Sequence, residues 1–366
     1  MRAIVAEPPK PGAALAEMPD PPRPPGGVLV RVLECGLCGT DRDIVSGKYG
    51  VPPAGESKLI LGHENLGRVV EVDPDLAGFA VGDLVVATVR RGCGLCRFCR
   101  SGRSDYCETG RFTERGINGR NGYLAELYGE VPDYLVKVPP ALRSHAVLLE
   151  PLSVVEKAIH EGTAVLDRLE PTPGFPRDRP RRALVTGTGA IGMLAALVLA
   201  SEGFDVVATD RHDDTTPAAA LLARAGILHI NSASGPGALG DRRFELVVEA
   251  SGSPVLDFEL LGLLARNGAI VLTGIPAADV PSFPVAGGSL LRAMVLENQV
   301  VLGSVNSSRG FFEQGIAHLG AFRTRWGDLA ERLITERRPV DAFAEPLSEK
   351  SGTTIKMVLT LPGAGP

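Results

Sequence analysis

Hydrophobic and polar positions divide the chain into two parts with different periods. In the first part, short apolar stretches at residues 28–34, 65–72 and 83–89 are separated by glycine and proline, which is typical of strands and turns. No helical period there is long enough to compete, so we predict a mostly-β domain, barrel-like or sandwich-like, at 1–154. The proline-rich segment 8–27 is predicted to be a surface connection rather than a core element.

The second part, from about residue 183, alternates strands with helices. ALVTGTGAIGMLAALVLASEG (183–203) combines an apolar strand, a glycine-rich turn and an alanine- and leucine-rich helix, and FDVVATDR (204–211) is a second strand. The alternation continues with a helix at 217–226, a strand at 244–251, a helix around 255–265, and strands at 269–275 and 300–306. This order is typical of a parallel sheet with helices on both faces, so we predict an α/β chain whose Rossmann doubly wound domain spans 155–306.

The remaining segments connect or complete these domains. Residues 163–182 are rich in proline and arginine and are predicted to be a linker or surface loop. After Asn306 the pattern predicts two helices within 307–335 and a final strand at 353–361. A strand after helices indicates that residues 307–366 return to the first domain and close it with chain from both ends.

Composition and charge exclude several classes of function. The 366 residues suffice for two or three domains, and 44% hydrophobic with 22% charged residues is the composition of an ordinary globular protein. The net charge is −5 and the basic residues are scattered, which argues against nucleic acid or an acidic membrane surface as a partner. The N-terminus lacks the features of a secretory signal, and no apolar stretch approaches the roughly 18–20 residues that span a bilayer. We therefore expect a soluble, cytoplasmic protein without a membrane partner.

Four of the six cysteines fall in one short segment, CGLCRFCRSGRSDYC. They are Cys93, Cys96, Cys99 and Cys107. In a cytoplasmic protein such spacing indicates metal rather than disulfides, and four thiolates complete a closed, structural zinc site that would stabilise a lobe at about 91–110. An iron–sulfur cluster is the alternative, but its close-spaced bacterial run ends in a cysteine followed by proline, whereas Glu108 follows in this chain. Cys35 has no evident partner and is predicted to be buried.

A second, open metal site is predicted at Cys38 and His63, each of which stands next to a glycine that allows a tight turn. Thiolate and imidazole suit catalytic zinc, which takes three protein ligands and keeps one position open. Glu64 and Glu150 are candidates for the third, directly or through water, because a carboxylate among the leucines around Glu150 is costly without a cation. Such a zinc polarises a carbonyl or activates an alcohol, and Thr40 can pass the proton outward. The alternative is a small buried cysteine and a core histidine.

The polar loop at 111–126 carries Glu114 and Asn118, which could hydrogen-bond a polyhydroxylated substrate or could simply be solvated. Asp210 ends the second strand of the Rossmann domain, where a carboxylate binds the ribose 2′-OH and repels a 2′-phosphate. Arg211 has the opposite effect, because its guanidinium can donate two hydrogen bonds to a phosphate. We therefore predict NAD as the preferred cofactor, with NADP possible. His212 is predicted to be a solvated loop residue.

The glycine pattern lies between a strand and a helix, which is the setting of a dinucleotide-binding turn with the pyrophosphate at the helix N-terminus. In such a turn the first glycine allows the sharp bend, the second lets backbone approach the pyrophosphate and the third lets helix pack on strand. The residues predicted to bind cofactor are Gly187, Gly189, Ala190, Ile191, Gly192, Asp210, Arg211, Gly274 and Asn306.

CGLCGTD, GHE, the four-cysteine lobe, EPLSV and GTGAIG follow one another in the order found in zinc-dependent medium-chain dehydrogenases, which the chain resembles over nearly its whole length. Within that superfamily it is most similar to the archaeal-type glucose dehydrogenases. The stretches that carry this likeness are TVRRG (88–92), ERGINGRNGYLAE (114–126), EPLSVVEKAI (150–159), GSVNSSRGFFEQ (303–314) and TTIK (353–356).

The resemblance implies a GroES-like catalytic domain beside the nucleotide-binding domain, a homodimer or homotetramer, two zinc ions per chain, and oxidation of an aldose C1 hydroxyl to a lactone. It implies that Cys38, His63 and either Glu64 or Glu150 hold the catalytic zinc. The residues that would contact the sugar are Thr40, Glu114, Glu150 and Asn306. Two positions depart from the family: a basic or neutral residue often replaces Asp210, and some members carry a sugar-contacting acid where this chain has Val154.

Two other functions are compatible with these motifs. One is a polyol, cyclitol or threonine-type alcohol dehydrogenase on the same scaffold. The other is a zinc-stabilised protein that binds NAD(H) without turnover, which would need only the structural zinc. Two zinc ions per chain would support an enzyme, and a single one in the four-cysteine lobe would contradict it.

Overall fold

In the computed structural model, which describes residues 1–169, 179–277, 279–348 and 352–363, the chain divides into two units. Unit 1 comprises Met1–Ser153, Asn306–Gly320 and Ile334–Pro366, and unit 2 comprises Val154–Val305 and Ala321–Leu333. No helix among the described residues is long and apolar enough to cross a membrane.

Strands predominate in the N-terminal part of the chain, and strands alternate with helices after it. The strands are β1 (Arg2–Glu7), β2 (Lys10–Glu17), β3 (Val28–Gly36), β4 (Leu59–Ile60), β5 (Glu64–Val72), β6 (Leu84–Ala87), β7 (Arg90–Arg91), β8 (Thr113–Arg115), β9 (Gly119–Arg120), β10 (Leu127–Glu130), β11 (Leu135–Lys137), β12 (Arg182–Thr186), β13 (Asp205–Asp210), β14 (Leu228–Asn231), β15 (Phe244–Glu249), β16 (Leu264–Leu272), β17 (Val300–Gly303), β18 (Ile334–Pro339) and β19 (Lys356–Thr360). The helices are α1 (Gly39–Val45), α2 (Arg97–Arg100), α3 (Leu149–Asp167), α4 (Ala190–Ser201), α5 (Pro217–Ala225), α6 (Pro254–Leu260), α7 (Gly287–Glu297), α8 (Arg309–Trp326), α9 (Leu329–Arg332) and α10 (Ala344–Ser348).

A seven-stranded sheet forms the centre of unit 1, in the order β11-β6-β5-β3-β19-β18 with β10 also paired to β3. Its central strand β3 is almost completely buried, which explains its near-continuous run of apolar residues. Gly36, at the end of β3, lies opposite Glu64 of β5 and opposite Val358 of β19. Segments from both ends of the chain therefore meet where β3 ends. The mostly-β prediction for this part of the chain is confirmed.

The proline-rich segment 8–27 is not only a connection, as the sequence suggested. Its residues Lys10–Glu17 form β2, which pairs antiparallel with β1 from Arg2 opposite Glu17 to Glu7 opposite Lys10. Pro11 is tolerated because β2 lies at the edge of its sheet, where a missing N–H breaks no central ladder. Because the segment is rich in proline, its edge strand was not predicted from the sequence.

Unit 2 is built on six parallel strands in the order β14-β13-β12-β15-β16-β17. This is the strand order of a Rossmann doubly wound sheet, so the predicted fold of this part is confirmed. Its core consists of apolar side chains from successive strands, among them Leu184, Val207, Val247 and Ile270. The predicted linker at 163–182 is shorter than expected, since α3 extends to Asp167 and β12 begins at Arg182. The rest of that linker, 170–178, lies outside the described residues.

The C-terminal segment divides differently from the predicted return of residues 307–366 to the first domain. Residues 321–333 belong to unit 2. Arg325 donates to the carbonyl of Ala200 at 2.7 Å, and Arg224 donates to the carbonyl of Trp326 at 3.0 Å. Both contacts are made by arginine side chains, one on α5 and one on α8. The pattern of apolar residues does not include arginines, so it could not predict these contacts.

Candidate functional site

Cys38 stands at the N-cap of α1, directly after the central strand β3. The turn is held by Asp41, which is completely buried and accepts a hydrogen bond from the Cys38 N–H at 2.9 Å. Asp41 also accepts from the Gly62 N–H at 3.2 Å. One buried carboxylate therefore fixes both turns that carry predicted metal ligands, although no motif in the sequence indicates this role.

His63 and Glu64 follow Gly62, whose φ of 87° allows the chain to turn sharply before β5. The Nδ1 atom of His63 lies 3.5 Å from Asp41 Oδ1, an arrangement that orients an imidazole for metal binding. Burial lowers the pKa of His63, but the neighbouring Asp41 and Cys38 outweigh it and the pKa is raised well above its usual value. Burial raises the pKa of Asp41. The charge of His63, its hydrogen bond to Asp41 and the hydrogen bond from the Cys38 N–H outweigh burial, so the pKa of Asp41 is lowered.

The structure brings Cys38, His63 and Glu64 together. One potential ligand atom from each residue lies within 4.8 Å of the other two, and His63 and Glu64 are buried. Sulfur, imidazole nitrogen and carboxylate oxygen form a donor set that suits zinc with an open position. The residues present therefore fit a catalytic zinc ion.

Glu150 lies in the first turn of α3 and is buried, outside the three-ligand group. Its pKa is raised to about 7 because burial disfavours the charged form; His63 lowers it and Glu64 raises it. Both neighbours are members of the ligand group, so Glu150 lies close enough to respond to the charge of that group. Of the two candidates for third ligand, Glu64 forms a group with Cys38 and His63 within 4.8 Å, and Glu150 does not.

Lys356 is the main functional residue that sequence reasoning missed. Its ammonium group forms an ion pair with Glu64 and donates to the Leu37 carbonyl at 3.1 Å, while its side chain is only 4% exposed. Burial lowers the pKa of Lys356, but Glu64 and Cys38 outweigh it and raise the pKa. The signal in the sequence was a lysine at the start of the buried strand KMVLT, since lysine is almost never fully buried without a partner.

The predicted substrate residues occupy a neighbouring part of unit 1. Thr40 Oγ1 lies 3.9 Å from Cys38 Sγ and is half-buried. Glu114 is buried and accepts from Arg90 at 3.0 and 3.1 Å and from the Asn306 side-chain amide at 2.7 Å. Two predicted residues, Glu114 and Asn306, thus contact each other across 192 positions, and Arg90 is an additional member. Asn118 differs, because its backbone exchanges hydrogen bonds with Glu114.

The four predicted cysteines also converge, around α2. Their sulfur atoms lie within 4.8 Å of one another and none forms a disulfide. The Cys93 sulfur accepts from the N–H groups of Leu95 and Cys96, both at 3.4 Å. Hydrogen bonds from Thr109 and these amides lower the pKa of Cys93 to about 5. A loop that stabilises a thiolate fits the closed zinc site that the spacing predicted.

In unit 2, the glycine turn lies between β12 and α4. Gly187 has a φ of 87°, and a side chain at Gly192 would come within 1.7 Å of the Gly187 carbonyl oxygen. Gly189 caps α4, whose first residues are Ala190 and Ile191. A side chain at Gly274 would likewise come within 2.2 Å of the Gly252 nitrogen. Gly187, Gly189 and Gly192 leave the backbone free of side chains at the N-terminus of α4, which fits a dinucleotide pyrophosphate.

Asp210 ends β13, as predicted, and its carboxylate is already surrounded by donors. It accepts from the Thr188 hydroxyl, from the His212 N–H at 2.8 Å, and from His229 Nε2 at 3.2 Å. Burial raises the pKa of Asp210, but the bonds from Thr188 and the histidines lower it overall. Arg211 is exposed beside it. His212, predicted to be merely solvated, and His229, which the sequence did not indicate, both contact this carboxylate.

The chain matches two family models and is similar to known proteins over nearly its whole length. Residues 24–140 match the alcohol dehydrogenase GroES-like domain, and residues 143–361 match the glucose dehydrogenase C-terminus. The chain is 42% identical to a glucose 1-dehydrogenase of Methanocella arvoryzae over 90% of each chain, and 37% identical to one of Metallosphaera sedula over 98% of each. A solved structure of Haloferax mediterranei glucose dehydrogenase in complex with NADP, Zn and gluconolactone is similar at a TM-score of 0.87 and 30% identity, covering 98% of this chain and 99% of that one.

Proposed function

The chain belongs to the glucose dehydrogenase family of zinc-dependent medium-chain dehydrogenases, and from that premise we propose that it oxidises the C1 hydroxyl of glucose or a closely related aldose to the lactone. It is a zinc- and NAD(P)-dependent oxidoreductase that acts on sugars. The observation that carries the proposal is the convergence of Cys38, His63 and Glu64, a ligand set that a protein binding cofactor without turnover does not require.

In this proposal Cys38, His63 and Glu64 hold the catalytic zinc, and the four cysteines around α2 hold the structural one. When bound, the catalytic ion acts as a Lewis acid toward the substrate oxygen. Oxidation transfers a hydride from C1 to nicotinamide C4 and releases the hydroxyl proton. Thr40 would accept that proton at Oγ1 while it passes its own hydroxyl proton outward, and the buried carboxylate of Glu150 would be a further proton acceptor beside the ligand group.

The sugar itself would be held by Glu114 and Asn306, which already form a hydrogen-bonded pair beside Arg90. A carboxylate and an amide offer both acceptors and donors, which is what neighbouring sugar hydroxyls require. The acceptor oxygen of Glu114 is also fixed by Arg90 from two nitrogens, so the carboxylate keeps one orientation. Asn118 would contribute through the backbone bonds that shape the Glu114 loop.

We expect a panel of aldoses, polyols and small alcohols, followed by reduced-cofactor absorbance, to show the highest kcat/KM with an aldose. NAD should exceed NADP in kcat/KM by about tenfold or more, because Asp210 repels the 2′-phosphate and accepts from the ribose 2′-OH. A preference for NADP would contradict the role given to Asp210. A preference for polyols over every aldose would favour the polyol or cyclitol alternative, which the apolar Val154 keeps open.

The homo-oligomer is proposed to form through the free edge of the sheet in unit 2. β17 is the edge strand, and the adjacent α7 has no buried residue among those described. Apolar side chains on these two elements and the segment after them are exposed: Leu291, Val295, Leu296, Val301 and Val305. An edge strand with one open side, beside a helix with exposed apolar side chains, is a surface that a two-fold related copy can cover.

Substituting Val295→Asp together with Val301→Lys should therefore convert the oligomer into smaller species in light scattering coupled to gel filtration. Buried unpaired charges disfavour association by several kcal/mol at such an interface. Val81→Asp is the matched control, since Val81 is an exposed apolar residue of unit 1. An unchanged mass for the double variant would show that the copies associate elsewhere.

A further inference from the structure

His229 lies on β14, one strand beyond the strand that ends in Asp210. β14 runs parallel to β13 with Ala208 opposite His229 and Asp210 opposite Asn231. That register places the imidazole beside the end of β13, where Nε2 lies 3.2 Å from Asp210 Oδ1. The His229 side chain is only 6% exposed. His229 is therefore a buried partner of Asp210, the residue expected to bind the ribose 2′-OH of the cofactor.

The same ring also holds the loop that follows β13. His229 Nδ1 lies 2.8 Å from Asp214 Oδ1, and Asn231 donates to Asp213 at 3.0 Å. Two side chains of one strand thus hold two adjacent residues of a short acidic loop. The ring, which donates from both nitrogens when it is protonated, bridges that loop to Asp210. Arg211 is carried on this loop with its side chain exposed.

An anchored carboxylate affects the two cofactors in opposite ways. The 2′-OH of NAD can donate to Asp210, so NAD gains from a carboxylate that is already in position. The 2′-phosphate of NADP carries a charge of about −1.5 to −2 and only acceptor oxygens. NADP therefore gains from a carboxylate that can turn away, and from a loop free enough to bring Arg211 to the phosphate.

We propose that His229 is a specificity-determining positioning residue, which selects NAD over NADP by holding Asp210 and the Asp213–Asp214 loop in place. The inference rests on the proposed use of a nicotinamide cofactor by this chain. It does not depend on which sugar is oxidised.

Three variants separate the two contacts of the ring. His229→Leu removes both, His229→Gln can keep a donor near the Nε2 position toward Asp210, and His229→Asn can keep one near Nδ1 toward Asp214. The measurement is calorimetric binding of ADP-ribose and of its 2′-phosphorylated form to the full-length, zinc-loaded protein. Steady-state kcat/KM with NAD and NADP is the second readout. Binding needs no sugar turnover, so a wrong substrate assignment cannot mimic a wrong assignment of His229.

His229→Leu and His229→Asn should weaken ADP-ribose binding by about tenfold, the effect of losing one hydrogen bond to a charged group, with little loss for the 2′-phosphorylated form. His229→Gln should stay within about threefold of the parent. His212→Leu is the matched control: its ring lies 3.3 Å from the same carboxylate but is 52% exposed, so selectivity should change by less than about threefold.

Equal weakening of both ligands would mean that His229 has only a structural role, and would overturn the proposal. So would a rise in selectivity for the unphosphorylated ligand, which would mean that the ring acts as a counter-charge. If His229→Leu fails to fold by circular dichroism, the comparison of His229→Asn with His229→Gln decides the question.

Discussion

Cys38→Ser is expected to lower kcat by about a thousandfold or more while leaving cofactor binding intact. The thiolate is the strongest zinc ligand of the open site, and a serine hydroxyl does not replace it at neutral pH. Lewis-acid polarisation of the substrate oxygen is worth several kcal/mol in the transition state, and each 1.36 kcal/mol is a factor of about ten in rate. NADH binding should persist because the glycine turn and Asp210 belong to unit 2, whereas Cys38 belongs to unit 1.

The decisive measurement is zinc content beside activity. The parent should hold two zinc ions per chain and Cys38→Ser one, retained by the four cysteines around α2. Cys35→Ala is the matched control, because Cys35 lies three residues away, is fully buried in the core of unit 1, and is not part of either ligand group. It should keep both ions and most of its activity. Loss of NADH binding in Cys38→Ser would instead mean that Cys38 supports the fold.

The sequence predicted those parts of the site whose chemistry is local. The four cysteines fall within one loop, and the glycine pattern marks its own turn between β12 and α4. Cys38 and His63 each follow a short turn at the end or start of a strand. For the cysteines and the glycines, neighbouring residues carry the information that a metal or a cofactor needs, so their spacing was informative. Cys38 and His63 gained weight only together with the other motifs.

The long-range contacts that support the site were not predictable in this way. Lys356 reaches the Leu37 carbonyl across 319 positions, and Asn306 reaches Glu114 across 192. His229 becomes a neighbour of Asp210 only through the register of two parallel strands. Such partners are chosen by strand order and register, which the pattern of apolar residues specifies as a class of fold but not residue by residue.

Lys356→Met is expected to lower the free energy of unfolding by about 3–5 kcal/mol, because it leaves the Glu64 carboxylate buried without its partner. The Leu37 carbonyl also loses its donor. Methionine keeps the length and apolar stem of lysine, so the change removes the charge with little change in packing. Urea unfolding would measure this loss of stability. The metal is first removed with a chelator, because a bound zinc ion would neutralise the charge of Glu64 in place of the lysine.

A double-mutant cycle distinguishes loss of the ion pair from loss of packing. Glu64→Gln in the Lys356→Met background removes the uncompensated charge, so it should restore most of the lost stability. Two residues in contact are expected to show such a non-additive effect in a double-mutant cycle. Lys356→Arg should lose much less than Lys356→Met because it keeps a cation near Glu64. If Lys356→Met is as stable as the parent, or if Glu64→Gln adds a second loss, the pair does not stabilise the fold. The lysine would then matter only through the electrostatics of the ligand group, and the change would appear in zinc affinity instead.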